Sequence, residues 1–125
     1  MTRYILLFVL MSLTVQAQIS TDLLKKFETA QKVPVLIQFK QQADLSTINY
    51  NWTKEQKANL AYQLLKQTAT NTQKSCLELL KSQGINYHSY YLVNAIWAEV
   101  NKEQLFQISS LPEIDRVSYD SPHRG

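Results

Sequence analysis

Two segments with strong helix-start signals each stand between strand-like segments, and this order restricts the possible folds more than any other feature of the chain. Thr53 is followed three residues later by Gln56, and Asn101 is followed in the same way by Gln104. In such a capping box the first side chain accepts a hydrogen bond from a free amide of the helix start, while the Gln reaches back to the cap. The sequence therefore predicts one helix beginning at each of these points.

The two predicted helices differ greatly in length. The first runs to Gly84, a residue that readily takes the left-handed conformation found after helix ends. About 30 helical residues would span ~45 Å, which is long for a small domain, so Ala69 to Thr72 is the expected place for a bend or break. The second helix is short, and Pro112 helps to end it.

Four β-branched and aromatic segments surround these helices and read as strands. Asn94-Ala95 between the middle two predicts a hairpin with a turn wider than two residues, because Ala tolerates the positive φ of a tight turn poorly. The order strand, helix, strand, strand, helix, strand is that of the ferredoxin-like split βαβ fold: α+β, with a four-stranded antiparallel sheet and two helices on one face. The predicted strands are Val33–Lys40, Tyr87–Val93, Ile96–Val100 and Ile114–Tyr119.

Such a sheet leaves one face without helices. Successive side chains of a strand point to opposite faces of the sheet. Trp97 and Glu99 therefore point to one face, and Ile96 and Ala98 point to the other. Tyr90 alternates in the same way with its neighbours. An exposed aromatic sheet face usually marks a surface that binds a partner.

The N-terminus has the pattern of a secretory signal peptide. Arg3 precedes the apolar run Ile5 to Leu13, which is about half the ~20 residues of a membrane span, and Val15-Gln16-Ala17 supplies a small-residue cleavage site. We expect cleavage after Ala17, with residues 1–17 removed and the product secreted or periplasmic. A retained anchor helix is the alternative, but no stop-transfer charge cluster follows the run. Residues 18–32 then form a lead-in with a short amphipathic helix.

Composition and charge exclude several classes of function. The chain has 125 residues and a formal charge of +3 spread thinly along it, which argues for neither nucleic acid nor a membrane surface as partner. Cys76 is the one thiol, so no internal disulfide or zinc spacing is possible, and we expect it to be buried. Two glycines are too few for a nucleophile elbow with an oxyanion site. We expect no catalytic residues, metal or cofactor.

The resemblance to a known family lies in two runs, "KVPVLIQFKQQADLS" and "LKSQGINYHSYYLVNAIWAEVNKEQLFQISSLPEIDRVSYD". They resemble the propeptides of subtilisin-like serine proteases, the subtilase propeptide and proteinase-inhibitor family, over residues 33–120. The preceding "DLLKKFETAQ" is similar to the lead-in of some bacterial members. Asn94-Ala95 departs from the Asn-Gly of many relatives, which leaves the turn type open.

The resemblance implies a protease inhibitor that docks through its uncovered sheet face on two surface helices of the enzyme. Tyr90, Trp97, Glu99 and Asp120 would form the docking face, with Asp120 capping a protease helix. A tail at 121–125 would lie in the substrate groove, with its end close to the cleavage junction of the family. The tail residues are Ser121, Pro122, His123, Arg124 and Gly125.

Three interpretations of the chain stay open at this point. It could be a free-standing secreted inhibitor of a subtilisin-like protease. It could instead be the prepro portion of a longer protease, in which case it would also act as an intramolecular chaperone. Ferredoxin-like sheets can also stack single-stranded RNA on aromatic residues, but the signal peptide and the missing Gly-aromatic strand motif argue against that partner.

Overall fold

The computed structural model describes residues 17–120, so most of the predicted signal peptide and the predicted tail at 121–125 lie outside the described residues. A single sheet of five strands, in the order β1-β5-β2-β4-β3, forms the centre of the fold. The elements are β1 (Gln18–Ile19), α1 (Thr21–Lys26), β2 (Val33–Phe39), α2 (Lys54–Ser82), β3 (Tyr87–Tyr90), β4 (Ala95–Val100), α3 (Lys102–Ser109) and β5 (Ile114–Tyr119).

The sheet contains the predicted four antiparallel strands and one more. β2 pairs antiparallel with both β4 and β5, and β3 pairs antiparallel with β4. The prediction of four strands is wrong in number, because β1 pairs parallel with β5 and brings Ile19 opposite Val117. The Ser20 N–H extends this pairing by donating to the Val117 carbonyl oxygen at 3.2 Å. A strand of two residues has no alternation that a sequence pattern could reveal.

The three helices within residues 17–120 pack on the same face of the sheet. Leu23 of α1, Leu80 of α2 and Leu105 of α3 have no exposed surface and belong to one apolar core. In β2 and β4 the core residues alternate with half-buried ones, as expected for a sheet covered on one side. The core side chains from the strands are Val33, Val35, Ile37, Phe39, Ile96, Ala98, Val100, Ile114 and Val117.

Helix α2 runs unbroken for 29 residues. The expected break between Ala69 and Thr72 does not occur, because the buried positions Ala69, Gln73, Cys76 and Leu80 continue one face of the helix through this stretch. Both predicted capping boxes are present, and Gly84 has φ 65° after the helix end. Within residues 17–120 no helix has the combination of length and apolarity that crossing a membrane requires.

The hairpin between β3 and β4 has a four-residue turn at 91–94. The prediction of a turn wider than two residues is confirmed, but the strand predicted to reach Val93 ends at Tyr90, and Ala95 belongs to β4. Leu92 and Val93, which a strand pattern would include, lie exposed in the turn. These two apolar residues therefore lie on the surface of the turn and do not belong to a strand.

Candidate functional site

The sheet face opposite the helices is the candidate site, and strand register defines which side chains form it. Leu36 in the central strand lies between Ser118 of β5 and Trp97 of β4. Trp97 in turn lies opposite His88 of β3. These four residues form a row across the sheet, which we call the central row, and their side chains point away from the core.

Two large apolar side chains occupy the middle of the central row. Leu36 and Trp97 are both half-buried, whereas their strand neighbours Val35, Ile37 and Ala98 are fully buried under the helices. Neither Leu36 nor Trp97 is part of the apolar core or packed against it. Residues 17–120 therefore leave this apolar strip uncovered by any helix.

One end of the uncovered face is acidic. Glu99 lies opposite Pro34 in the sheet register, and the Asp120 N–H donates to the Pro34 carbonyl oxygen at 3.1 Å. Glu99 and Asp120 thus flank the same residue from the two neighbouring strands, and both are half-buried. Because Asp120 is two residues beyond Ser118, its side chain points to the same face. The acidic end also marks the point where the chain continues towards the predicted tail.

The other end of the face carries a basic side chain. Arg116 pairs with Gln38 across the sheet, and its guanidinium donates to Gln18 Oε1 at 3.5 Å. Tyr90, at the far edge on β3, is 43% exposed, and its ring centroid lies 4.7 Å from that of His88 in an edge arrangement. The face therefore runs from two carboxylates through an apolar strip to one guanidinium and an aromatic edge.

The structure puts Trp97, Glu99, Asp120 and Tyr90 on the uncovered face, although Tyr90 and Asp120 lie at different strand ends. The tail residues 121–125 fall outside the described residues. Leu36, His88 and Arg116 also lie on this face, although they were not among the residues predicted for it. The alternation of β2 could have identified Leu36, and the two-residue spacing from Tyr90 could have identified His88. The two-residue spacing from Ser118 could likewise have identified Arg116, whereas the register shift at Gln38/Phe39 breaks the alternation only on the Ile114 side.

A buried polar network fixes the hairpin that carries Tyr90. Gln73 of α2 is 1% exposed, and its Nε2 donates to the Tyr90 carbonyl oxygen and to Asn94 Oδ1, each at 2.9 Å. Ser89 Oγ donates to Gln73 Oε1 at 2.5 Å, and Asn94 Nδ2 donates to Thr72 Oγ1 at 2.6 Å. The network ties α2 to the turn, so the predicted turn residue Asn94 is in fact a buried anchor.

The single thiol has no place on this face. Cys76 is 1% exposed within the core, so the predicted burial is confirmed. Burial raises the pKa of the Cys76 thiol to about 12, and the charge of Glu113 adds to this increase. A thiol held neutral at physiological pH is a poor nucleophile and metal ligand. Among the described residues no group of three His, Cys, Asp or Glu side chains is arranged to hold a metal ion.

Residues 17–120 thus form an α+β domain in which the helices cover one side of the sheet and leave the other side open. Among known proteins, the chain is 29% identical over 122 residues to Bacillopeptidase F of Bacillus subtilis (strain 168), a subtilisin-like protease. The similarity covers 83% of this chain but only 8% of the protease, so the chain spans a small part of that relative's length. No family model matches the chain. The similarity indicates a subtilase-related region.

Proposed function

We propose that this chain is a propeptide-like inhibitor of a subtilisin-like serine protease. It docks through the uncovered sheet face and directs the residues after Asp120 into the substrate groove. The observation that carries the proposal is the uncovered strip of Leu36 and Trp97 next to the acidic pair Glu99 and Asp120. The similarity to part of a subtilisin-like protease supports the identity of the partner.

The chemistry of the face suits two helix ends on a partner. A helix N-terminus presents free amides and a partial positive charge, so a carboxylate there contributes ~0.3–1 kcal/mol when exposed and more when partly buried. Glu99 and Asp120 lie on either side of Pro34, which gives two carboxylates at one end of the face. The neighbouring apolar strip would exclude water from the same contact, which strengthens charged hydrogen bonds.

The folded domain would act as an anchor for the tail. An extended segment can bind along the edge of a groove through backbone hydrogen bonds. Its effective concentration at the groove rises when a docked domain holds one end close by, so weak tail contacts suffice for inhibition. The Asp120 backbone bond to Pro34 supports this arrangement, because it fixes the last residue before the tail to the central strand.

Inhibition of a subtilisin-type protease by the full chain tests the proposal directly. We expect inhibition by the full chain, and a loss of more than about tenfold in potency, or ~1.4 kcal/mol, when His123 to Gly125 are deleted. Circular dichroism spectra of the two forms serve as the folding control. Equal potency of the shortened chain would remove the tail from the mechanism, and no inhibition by the full chain would contradict the proposal as a whole.

A second function is the propeptide of a longer subtilase, in which the same domain also assists folding of its own protease. The similarity to only 8% of a much longer protease favours this alternative. The DNA downstream of the Gly125 codon distinguishes the two: a stop codon supports a free inhibitor, and an open frame with protease motifs supports a precursor. The docking face serves both functions, since the partner differs only in being separate or covalently joined.

A further inference from the structure

The edge strand β3 has backbone groups that face away from its neighbour. The Glu99 N–H donates to the Asn86 carbonyl oxygen at 3.0 Å, so these two residues form a hydrogen-bonded pair just before the strand. Hydrogen-bonded pairs alternate with non-hydrogen-bonded pairs in an antiparallel ladder. The next hydrogen-bonded pair is therefore His88 with Trp97. The N–H and C=O groups of Tyr87 and Ser89 consequently point outward from the sheet. Within residues 17–120 no further strand pairs with this edge.

A groove runs between this edge and helix α2. It has a volume of about 540 Å³, and both Gln73 of α2 and Ser89 of β3 line it. Lys66, Lys74 and Lys81 line it from α2, and Glu78 is the one acidic side chain in the lining. The three lysines recur at eight- and seven-residue steps, which keeps them on one side of the helix. The groove is therefore basic, and Ser89 of β3, whose backbone groups point outward, lies in its lining.

We propose that this groove binds an extended acidic peptide segment of a partner protein, which pairs with β3 as a sixth strand. The backbone groups of Tyr87 and Ser89 would bond to the peptide backbone, and alternate side chains of the peptide would point towards α2. Aspartate or glutamate at those positions would meet Lys66 and Lys74, both exposed. An edge strand beside a helix that supplies side-chain selectivity is an established mode of peptide recognition.

A second copy of this chain does not suit the groove. Pairing of two β3 edges would bring two sets of lysines together, and lysines beside an edge strand act against that kind of self-association. A polyanion such as polyphosphate fits the charge of the groove, but it has no use for the outward backbone groups of β3. The groove lies at a different place from the docking face and suits a partner of different chemistry. Peptide binding in the groove therefore does not depend on the proposed function.

A fluorescently labelled peptide of alternating Asp and Val tests the proposal with the full chain. We expect saturable binding in an anisotropy titration and slower amide hydrogen exchange at Ser89 and Tyr87 in the complex. A peptide of alternating Lys and Val should not bind. Binding without added protection at these two amides, or an equal affinity for inorganic polyphosphate, would show a purely electrostatic contact and overturn the proposal.

Lysine variants locate the binding site. The double substitution Lys66→Ala and Lys74→Ala should weaken the Asp-Val peptide about fivefold or more, as expected for two partly exposed ion pairs. Lys54→Ala is the matched control, because Lys54 is an exposed lysine of the same helix outside the groove. Equal loss in the control variant, or no loss in the double variant, would place the peptide elsewhere.

Discussion

Gln73 is the polar residue on which the local geometry of the hairpin most depends. Its amide contacts the Tyr90 carbonyl oxygen, Asn94 Oδ1 and Ser89 Oγ, all within 2.9 Å. Removing it leaves the buried Asn94 Oδ1 without this hydrogen-bond donor, and an unsatisfied buried polar group costs free energy. We therefore expect Gln73→Ala to lower the free energy of unfolding by more than ~2 kcal/mol in urea titrations. Gln63→Ala, an exposed site on the same helix, should change it by less than ~0.5 kcal/mol.

Cys76 gives the chain a specific dependence on alkaline pH. Its pKa is about 12 in the folded state, against an ordinary value of 9.0. Below pH 9.0 the thiol is protonated in both the folded and the unfolded state, and its titration does not lower the free energy of unfolding. Between the two values the unfolded state alone loses the proton, so the free energy of unfolding falls as pH rises, by up to ~1.4 kcal/mol per pH unit.

Cys76→Ala removes this titration and isolates its effect. Near neutral pH the variant should be less stable than the natural chain by ~1 kcal/mol or more, because a buried side chain is shortened. The difference should shrink when urea unfolding is repeated at rising pH up to about pH 10.5. A difference that stays constant over this range would mean that the thiol ionises equally in both states.

At the scale of secondary-structure elements, α1 is an integral part of the domain. Leu23 is fully buried in the common core, whereas Leu24, the next residue, is 37% exposed. Leu23→Ala should lower the free energy of unfolding by ~2–5 kcal/mol through loss of burial and creation of a cavity. Leu24→Ala should cost less than ~1 kcal/mol. Similar small effects of both substitutions in urea unfolding would mean that the lead-in helix is not packed on the sheet.

Local patterns in the sequence predicted most elements but not their connections. The capping residues Thr53 and Asn101 and the alternation of β2 depend on neighbours within a few positions, so they are readable from sequence alone. The turn at 91–94 depends on Asn94 meeting Gln73 and Thr72, which lie over 20 positions away in the chain. β1 was missed for a similar reason, since its two residues become a strand only through the edge of β5.

For the whole molecule, the one-sided packing of the sheet has a functional consequence. The three helices bury one face, and within residues 17–120 the other face keeps Leu36 and Trp97 half-buried. A partner docked on this face would bury the strip further, and Trp is among the residue types that most often dominate the energy of such contacts.

We propose that the uncovered face, and not the helical side, binds the protease. Competitive inhibition of a subtilisin-type protease by Trp97→Ala and Phe106→Ala tests it, since Phe106 is an exposed aromatic on helix α3 behind the sheet. We expect Trp97→Ala to weaken inhibition more than about tenfold while its circular dichroism spectrum still shows a folded domain at the assay temperature, and Phe106→Ala to have little effect. Unchanged inhibition by Trp97→Ala, or an equal loss in both variants, would mean that the uncovered face is not the protease-binding surface.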